Sequence, residues 1–189
     1  MVNVFIQDQT GGQLLEDDPV VVLEGYDQFE RQFLDELPLD GEGFIQFTDV
    51  PFPAGRVYFA SIDFGGAVYR SQIFLVEEGQ VSLDLQVEIF NTTTDQSGLI
   101  IDRVHVLVDF TRPDVADFVE IYIFSNLGSS TIVPASPGGI SVEFPLPAGA
   151  VGIGFEDGNL GQRYLKTEDG FGDTVSIPPG SGIYPVSVY

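Results

Sequence analysis

The chain predicts an all-β fold arranged as two tandem sandwiches, and three observations carry that reading. Apolar residues alternate with period two, and long runs at helical spacing are missing. Gly, Pro, Asn and Asp cluster between the alternating runs, as they do between the short strands of a sandwich. One segment is stated twice: Pro51-Phe52-Pro53-Ala54-Gly55-Arg56-Val57 through Asp63 returns as Pro145-Leu146-Pro147-Ala148-Gly149-Ala150-Val151 through Asp157, with six of thirteen pairs identical. An internal repeat offset by half of a 189-residue chain points to two consecutive copies of one unit. Each half, at about 95 residues, is long enough to bury its own core. The domains are therefore expected at 1–92 and 98–189, divided in the polar run Asn91-Thr92-Thr93-Thr94-Asp95-Gln96-Ser97-Gly98.

Strands are expected near 2–8, 19–27, 43–49, 56–63, 67–76 and 81–90 in the first half. In the second half they fall near 102–111, 118–126, 130–135, 140–145, 150–156, 163–168, 172–177 and 182–189. Val104, Val106, Val108 and Phe110 share one strand face, opposite Arg103, His105 and Asp109, while Val119, Ile121 and Ile123 alternate with Glu120, Tyr122 and Phe124. Phe44, Phe47, Phe59, Val104, Val106, Ile121 and Ile123 are the expected core residues. Between Phe29 and Leu37 the apolar residues Phe29, Phe33 and Leu37 recur every fourth position, which fits a short helical turn or an irregular strand. Proline cannot join a central ladder, so Pro-x-Pro-Ala-Gly should be a structural corner leading into a strand in each copy, with Gly55 and Gly149 supplying backbone freedom.

Composition narrows the function classes. A content of 43% hydrophobic and 12% aromatic residues is that of a folded domain, although 29 acids against 7 bases give a formal charge of −22. Nucleic acids and anionic membranes both demand clustered Lys and Arg, so neither is an expected partner; the single lysine is Lys166. The absence of cysteine removes disulfides, thiol catalysis and thiolate metal sites together. No stretch reads as a transmembrane helix, and Met1–Ile6 has neither a basic nor a long apolar segment of the kind that opens a signal peptide. Direct membrane insertion is not expected.

The run Asp40-Gly41-Glu42-Gly43-Phe44-Ile45-Gln46-Phe47-Thr48-Asp49-Val50-Pro51 combines an acidic Gly turn, Gly-Phe-x-x-Phe, and Val-Pro ahead of a Gly and a Tyr-containing strand. That pattern resembles the carboxypeptidase regulatory-like or transthyretin-like domain, an immunoglobulin-like β-sandwich. Val20-Val21-Val22-Leu23 before it and Gln80 to Phe90 after it fit the family's early and closing strands, so the resemblance covers residues 2–90. It implies an exported, non-catalytic spacer or assembly unit and brings no catalytic residue with it. Residues 99–189 look like a divergent second sandwich, a combination similar to two-module bacterial envelope proteins.

No catalytic residue is assigned and the chain is not expected to be an enzyme. Its one histidine, His105, lies within a regular strand with no nucleophile beside it. The acid-rich loops Glu156-Asp157-Gly158-Asn159 and Glu168-Asp169-Gly170-Phe171-Gly172-Asp173, with Glu16-Asp17-Asp18, offer oxygen ligands of the kind calcium takes, making Asp157, Asn159, Asp169 and Asp173 candidate ligands. No other cofactor is implied. The terminal strands, Met1–Asp8 and Gly182–Tyr189, either complete their own sheets or add to a neighbour's edge. In the second case Val2, Val4 and Ile6 are the assembly anchors of a homo-oligomer or polymer. The expected function is a non-enzymatic extracellular or cell-surface structural protein, part of a stalk, adhesive protein or homopolymeric filament. The alternative is a calcium- or carbohydrate-binding module of a secreted protein.

Overall fold

The structure is a computed structural model that describes residues 1–11, 19–39 and 43–188, with the backbone path alone for 181–188. The acidic cluster Glu16-Asp17-Asp18, the turn residues Asp40-Gly41-Glu42 and the terminal Tyr189 lie outside the described residues. Every regular element among the described residues is a strand. The chain divides into two compact units, Met1–Asn91 and Thr92–Tyr189.

Unit 1 holds β1 (Val2–Asp8), β2 (Val20–Asp27), β3 (Glu30–Pro38), β4 (Phe44–Phe47), β5 (Val57–Phe64), β6 (Ala67–Arg70), β7 (Phe74–Leu75) and β8 (Leu83–Ile89). These form two sheets, one ordered β4-β1-β8 and the other β3-β2-β5-β6, with β7 also on β5. Alternation is obeyed closely: Val2, Val4 and Ile6 of β1, Val21 and Leu23 of β2, and Leu83, Leu85, Val87 and Ile89 of β8 are buried. Each of these fully buried large aliphatics contributes about 1.5–3 kcal/mol by leaving water. β1 runs antiparallel to β4 and parallel to β8, in register from Val2 opposite Leu83 to Asp8 opposite Ile89.

On β5 the phase differs from expectation. Tyr58, Ala60 and Ile62 point inward and Phe59 is only half-buried, stacked 5.9 Å from Tyr26. Tyrosine takes the inner face because its hydroxyl donates to Pro51 O at 2.6 Å and because Gly25, opposite it, leaves room for the ring. Phe44 is likewise on the outer face, tilted against Phe5 at 5.2 Å, whereas Phe47 is fully buried. The segment Phe29–Leu37 is largely the edge strand β3, entered through a two-residue turn in which Gln28 and Phe29 have φ of 48° and 72°.

Unit 2 holds β9 (Thr92–Thr93), β10 (Leu99–Asp109), β11 (Asp117–Asn126), β12 (Thr131–Ile132), β13 (Val142–Pro145), β14 (Gly154–Phe155), β15 (Tyr164–Lys166), β16 (Gly170–Asp173) and β17 (Gly180–Val188). They form sheets ordered β10-β11-β17-β14 and β13-β16-β15, with β9 and β12 as a small parallel pair. The polar run expected as a linker thus enters unit 2 as β9. The core is aromatic: Phe124, Phe144, Tyr164 and Phe171 are buried together, with Phe144 4.9 Å from Phe171 and Phe155 3.7 Å from Tyr164. Such pairs add about 0.5–1.5 kcal/mol each beyond area burial.

The repeated corner is a shared turn. Arg56 N donates to Pro53 O at 3.2 Å and Ala150 N to Pro147 O at 3.1 Å, with Gly55 at φ 91° and Gly149 at φ 90°. Both glycines sit in the left-handed region that the third residue of a type II turn requires. The strands beyond the turn differ in length: β5 has eight residues in unit 1, β14 only two in unit 2.

The other corrections concern β10 and β11. Val104 and Val106 are exposed and Ile121 and Ile123 are half-buried. The aromatic core is met by Leu99, Tyr122 and Phe124, at the open end of the β10–β11 hairpin, and the hairpin outruns that core toward its loop. Alternation places the valines on a common face without supplying a layer to cover it.

Candidate functional site

The acidic loops of unit 2 are organised by a cation of the chain itself. Arg163 precedes β15, and Tyr164 stands opposite Asp173 in the β15–β16 ladder, which carries the guanidinium onto the Asp173 carboxylate. Nε donates to Asp173 Oδ1 at 3.0 Å and Nη2 to Oδ2 at 2.8 Å, a two-pronged contact. Nη1 donates to Asp157, whose other oxygen accepts from the Tyr164 hydroxyl at 3.0 Å. The guanidinium carbon also lies 4.9 Å from the Tyr164 ring centroid. Asp173 is 2% exposed, and the backbone N–H of Val175 reaches its Oδ1 at 3.0 Å, so both oxygens are engaged.

This network fixes the local electrostatics. The hydrogen bond to Asp173 raises the Arg163 pKa further above its ordinary value, against the opposing effect of burial. Burial pushes the Tyr164 phenol up, and its hydrogen bond to Asp157 adds to the shift. The arginine therefore stays charged and the tyrosine neutral at any ordinary pH.

Of the four candidate calcium ligands, the structure brings Asp157 and Asp173 together across Arg163. Asn159 is exposed in the same loop as Asp157, and its carbonyl accepts from Gln162 N and Tyr164 N, both at 3.2 Å. Asp169 is exposed at the tip of the β15–β16 hairpin, four residues from Asp173, a rise of about 13 Å along a strand. Among the described residues no group of three or more His, Asp or Glu side chains is placed to hold a metal ion.

Val2, Val4 and Ile6 lie on the buried face of β1, and both edges of that strand carry hydrogen-bonded neighbours within unit 1. His105 is exposed on β10, opposite Ile121. A shallow groove of about 420 Å³ in unit 2 is lined by Asp95, Ser97, Asn126, Ser129 and Ser130, among others. Its Asp95, Ser97 and Asn126 side chains are engaged by their own chain. Ser97 donates from N and Oγ to Asp95, both at 2.9 Å, and these bonds, the backbone one first, hold the Asp95 carboxyl below its usual range. Asn126 is buried and donates to Ser130 O at 2.8 Å and Ile177 O at 3.0 Å while accepting from Gly128 N at 3.0 Å.

Sequence reasoning did not find Arg163. The available signal was scarcity: with 29 acids and 7 bases, each base has many carboxylates to choose from. Arg31, Arg56, Arg112 and Arg163 all make ion pairs with acids of their own unit. Among the described residues Arg103 and Arg70 do not. No helix among the described residues is long and apolar enough to cross a membrane. No family model, curated protein or solved structure matches the chain.

Proposed function

We propose that this chain is a non-enzymatic structural protein of an extracellular or cell-surface assembly, a stalk, adhesive protein or homopolymeric filament, built from two tandem sandwich modules of the immunoglobulin-like or transthyretin-like kind. One observation carries the reading: the parallel pairing of β1 with β8. In that register the start of β1 lies beside the start of β8, so tension entering at Met1 and leaving at Asn91 pulls the two strands in opposite directions along their length. All the ladder bonds between them are then loaded at once, in shear, rather than opened one by one. The ladder is lengthened at its start, where Leu83 N donates to Met1 O at 3.1 Å, and at its finish, where Gln9 N donates to Ile89 O at 2.9 Å. An all-β unit closed by its first and last strands suits a part that must carry load, and the acidic surface suits solubility in a saline exterior.

Single-molecule force spectroscopy on the full chain tests this, because resistance to forced unfolding is set by the unfolding barrier. Since the chain has no cysteine, handles can be attached at chosen engineered thiols. Pulling between the two ends of the chain should show unit 1 unfolding at high force. Pulling between Met1 and Gln80→Cys loads the same β1–β8 pair from one end and should lower that force severalfold. Equal forces in the two geometries would refute the load-bearing reading.

A further inference from the structure

We infer that β10 is a self-complementary edge that pairs antiparallel with β10 of a second copy, about a two-fold axis through Val106. The strand is the outer member of its sheet, with β11 on one side. From Ile100 to Asp109 every residue is exposed. That run includes Val104, Val106, Leu107 and Val108, an apolar content that an unpaired edge ordinarily avoids.

The strand's own limits define the register. A bulge interrupts the ladder between Ile101 and Arg103, and the strand ends at Asp109, where the carboxylate turns the chain by accepting Thr111 N at 2.9 Å. The regular segment is therefore Arg103–Asp109, and its middle residue is Val106. Antiparallel overlap of that whole segment with itself sets Arg103 opposite Asp109 of the second copy, twice by symmetry. It also sets Val104 opposite Val108, twice, and Val106 opposite itself. One face of the seam becomes an unbroken row of β-branched pairs, and the other carries two reciprocal ion pairs at its ends. A slip by two residues in either direction loses both ion pairs. The charge distribution agrees: Arg103 has no ion-pair partner among the described residues, while the hairpin tip holds Asp109, Asp114 and Asp117 against Arg112 alone.

This names the partner that the proposed assembly role leaves open, and it rests on that role for its biological purpose. The two tests are separate, since force between β1 and β8 says nothing about β10.

Cross-linking of the full chain decides it. Directly opposed residues of an antiparallel pair have Cα atoms about 4.5–5.5 Å apart, within disulfide reach. Val106→Cys should therefore oxidise to a covalent dimer. Val108→Cys lies on the same face, but its symmetry mate is about 14 Å away along the strand, and it should cross-link at least tenfold more slowly. In sedimentation equilibrium the wild type should show a concentration-dependent dimer. Arg103→Asp should weaken it about tenfold by placing like charges opposite each other twice. Arg70→Asp, the same charge change on β6, should have no more than a twofold effect, and Arg103→Asp with Asp109→Arg should restore association, circular dichroism confirming that each variant is folded. Equal cross-linking of the two cysteine variants, equal effects of the two arginine variants, or a monomer at every concentration would overturn the proposal. A monomer whose β10 amides exchange slowly would overturn it too, showing the edge covered by its own chain.

Discussion

Replacing Arg163 by Met removes the guanidinium and keeps an unbranched apolar stem. Asp173, 2% exposed in the wild type, would then keep a single described donor, Val175 N, in place of three. Removing one partner of a buried pair costs about 3–5 kcal/mol, because the other charge stays desolvated. The Arg163 side chain is 23% exposed, so water reaches part of the site and the lower end, about 3 kcal/mol, applies. Asp157 is 63% exposed, and Asp157→Asn should cost no more than about 1 kcal/mol. Because the chain has two units, bulk melting mixes their transitions and is the wrong assay. Hydrogen exchange of the β15 and β16 amides reports local opening in unit 2 directly, and a loss of about 3 kcal/mol appears as at least a hundredfold faster exchange where reclosing outpaces intrinsic exchange and the rate follows the opening equilibrium. Adding Asp173→Asn to Arg163→Met should recover part of the loss, since the neutral amide is cheaper to leave without its ionic partner. Exchange in Arg163→Met within a factor of two of wild type would refute the view that this arginine neutralises a buried acid.

Gly25→Ala should destabilise unit 1 by about 1–3 kcal/mol in exchange or chemical denaturation, as overpacking does, because a Cβ there would stand 2.5 Å from the Tyr58 ring. Changing Gln28-Phe29 to Asn-Gly should stabilise unit 1 by about 1 kcal/mol or more, since both positions hold positive φ, which that pair adopts with less strain. The Asp27 carboxyl is held below its ordinary value by the Arg56 hydrogen bonds at 2.7 and 2.8 Å. A depressed carboxyl contributes above its unfolded pKa and loses that contribution as pH falls through the folded one, so the stability gap between wild type and Arg56→Gln should close on acidification. Calcium at matched ionic strength should not slow hydrogen exchange of the β15 and β16 amides beyond a sodium control, because Arg163 already occupies Asp173; a specific slowing abolished by Asp157→Asn would establish an ion site.

Much of the β pattern was legible because it depends on local chemistry. β1 and β8 read directly from alternation, β11 in its span but not in the face it turns to the aromatic core, and the corner at Gly55 and Gly149 from Pro and Gly. β3 was obscured by its edge position, where Phe33 and Leu37 mimic a helical stripe, and by a turn made from Gln28 and Phe29 instead of the usual Asn or Gly. The phase of β5 depended on Gly25 and Pro51, which are remote in sequence from Phe59 and make the inner face suit tyrosine. Arg163 and Asp173 became partners only through the β15–β16 register, which composition does not encode. The exposure of Val104 and Val106 was illegible for a more general reason: period two says which residues share a face, and nothing in one strand's sequence says what lies over it.

The acidity and the open edge bear on each other. Edge strands are commonly protected by lysine, and lysine is nearly absent here, so protection of β10 has to come from elsewhere. A charge of −22 supplies it at long range by making two copies repel before they touch. That repulsion is indiscriminate and decays over about 8 Å at physiological ionic strength, whereas the attraction of Arg103 for Asp109 acts only at contact and in one register. Strand edges of other orientation or register meet the repulsion without the compensating pairs, so the coat acts as a filter on how copies meet. Salt should therefore act in two directions on the β10 seam: moderate salt strengthens association by screening the coat, and high salt erodes the selectivity of the Arg103–Asp109 register. In cross-linking, the advantage of Val106→Cys over Val108→Cys should narrow as salt rises while total dimer increases. An advantage that stays constant with salt would mean that backbone pairing and valine packing set the register without the ion pairs.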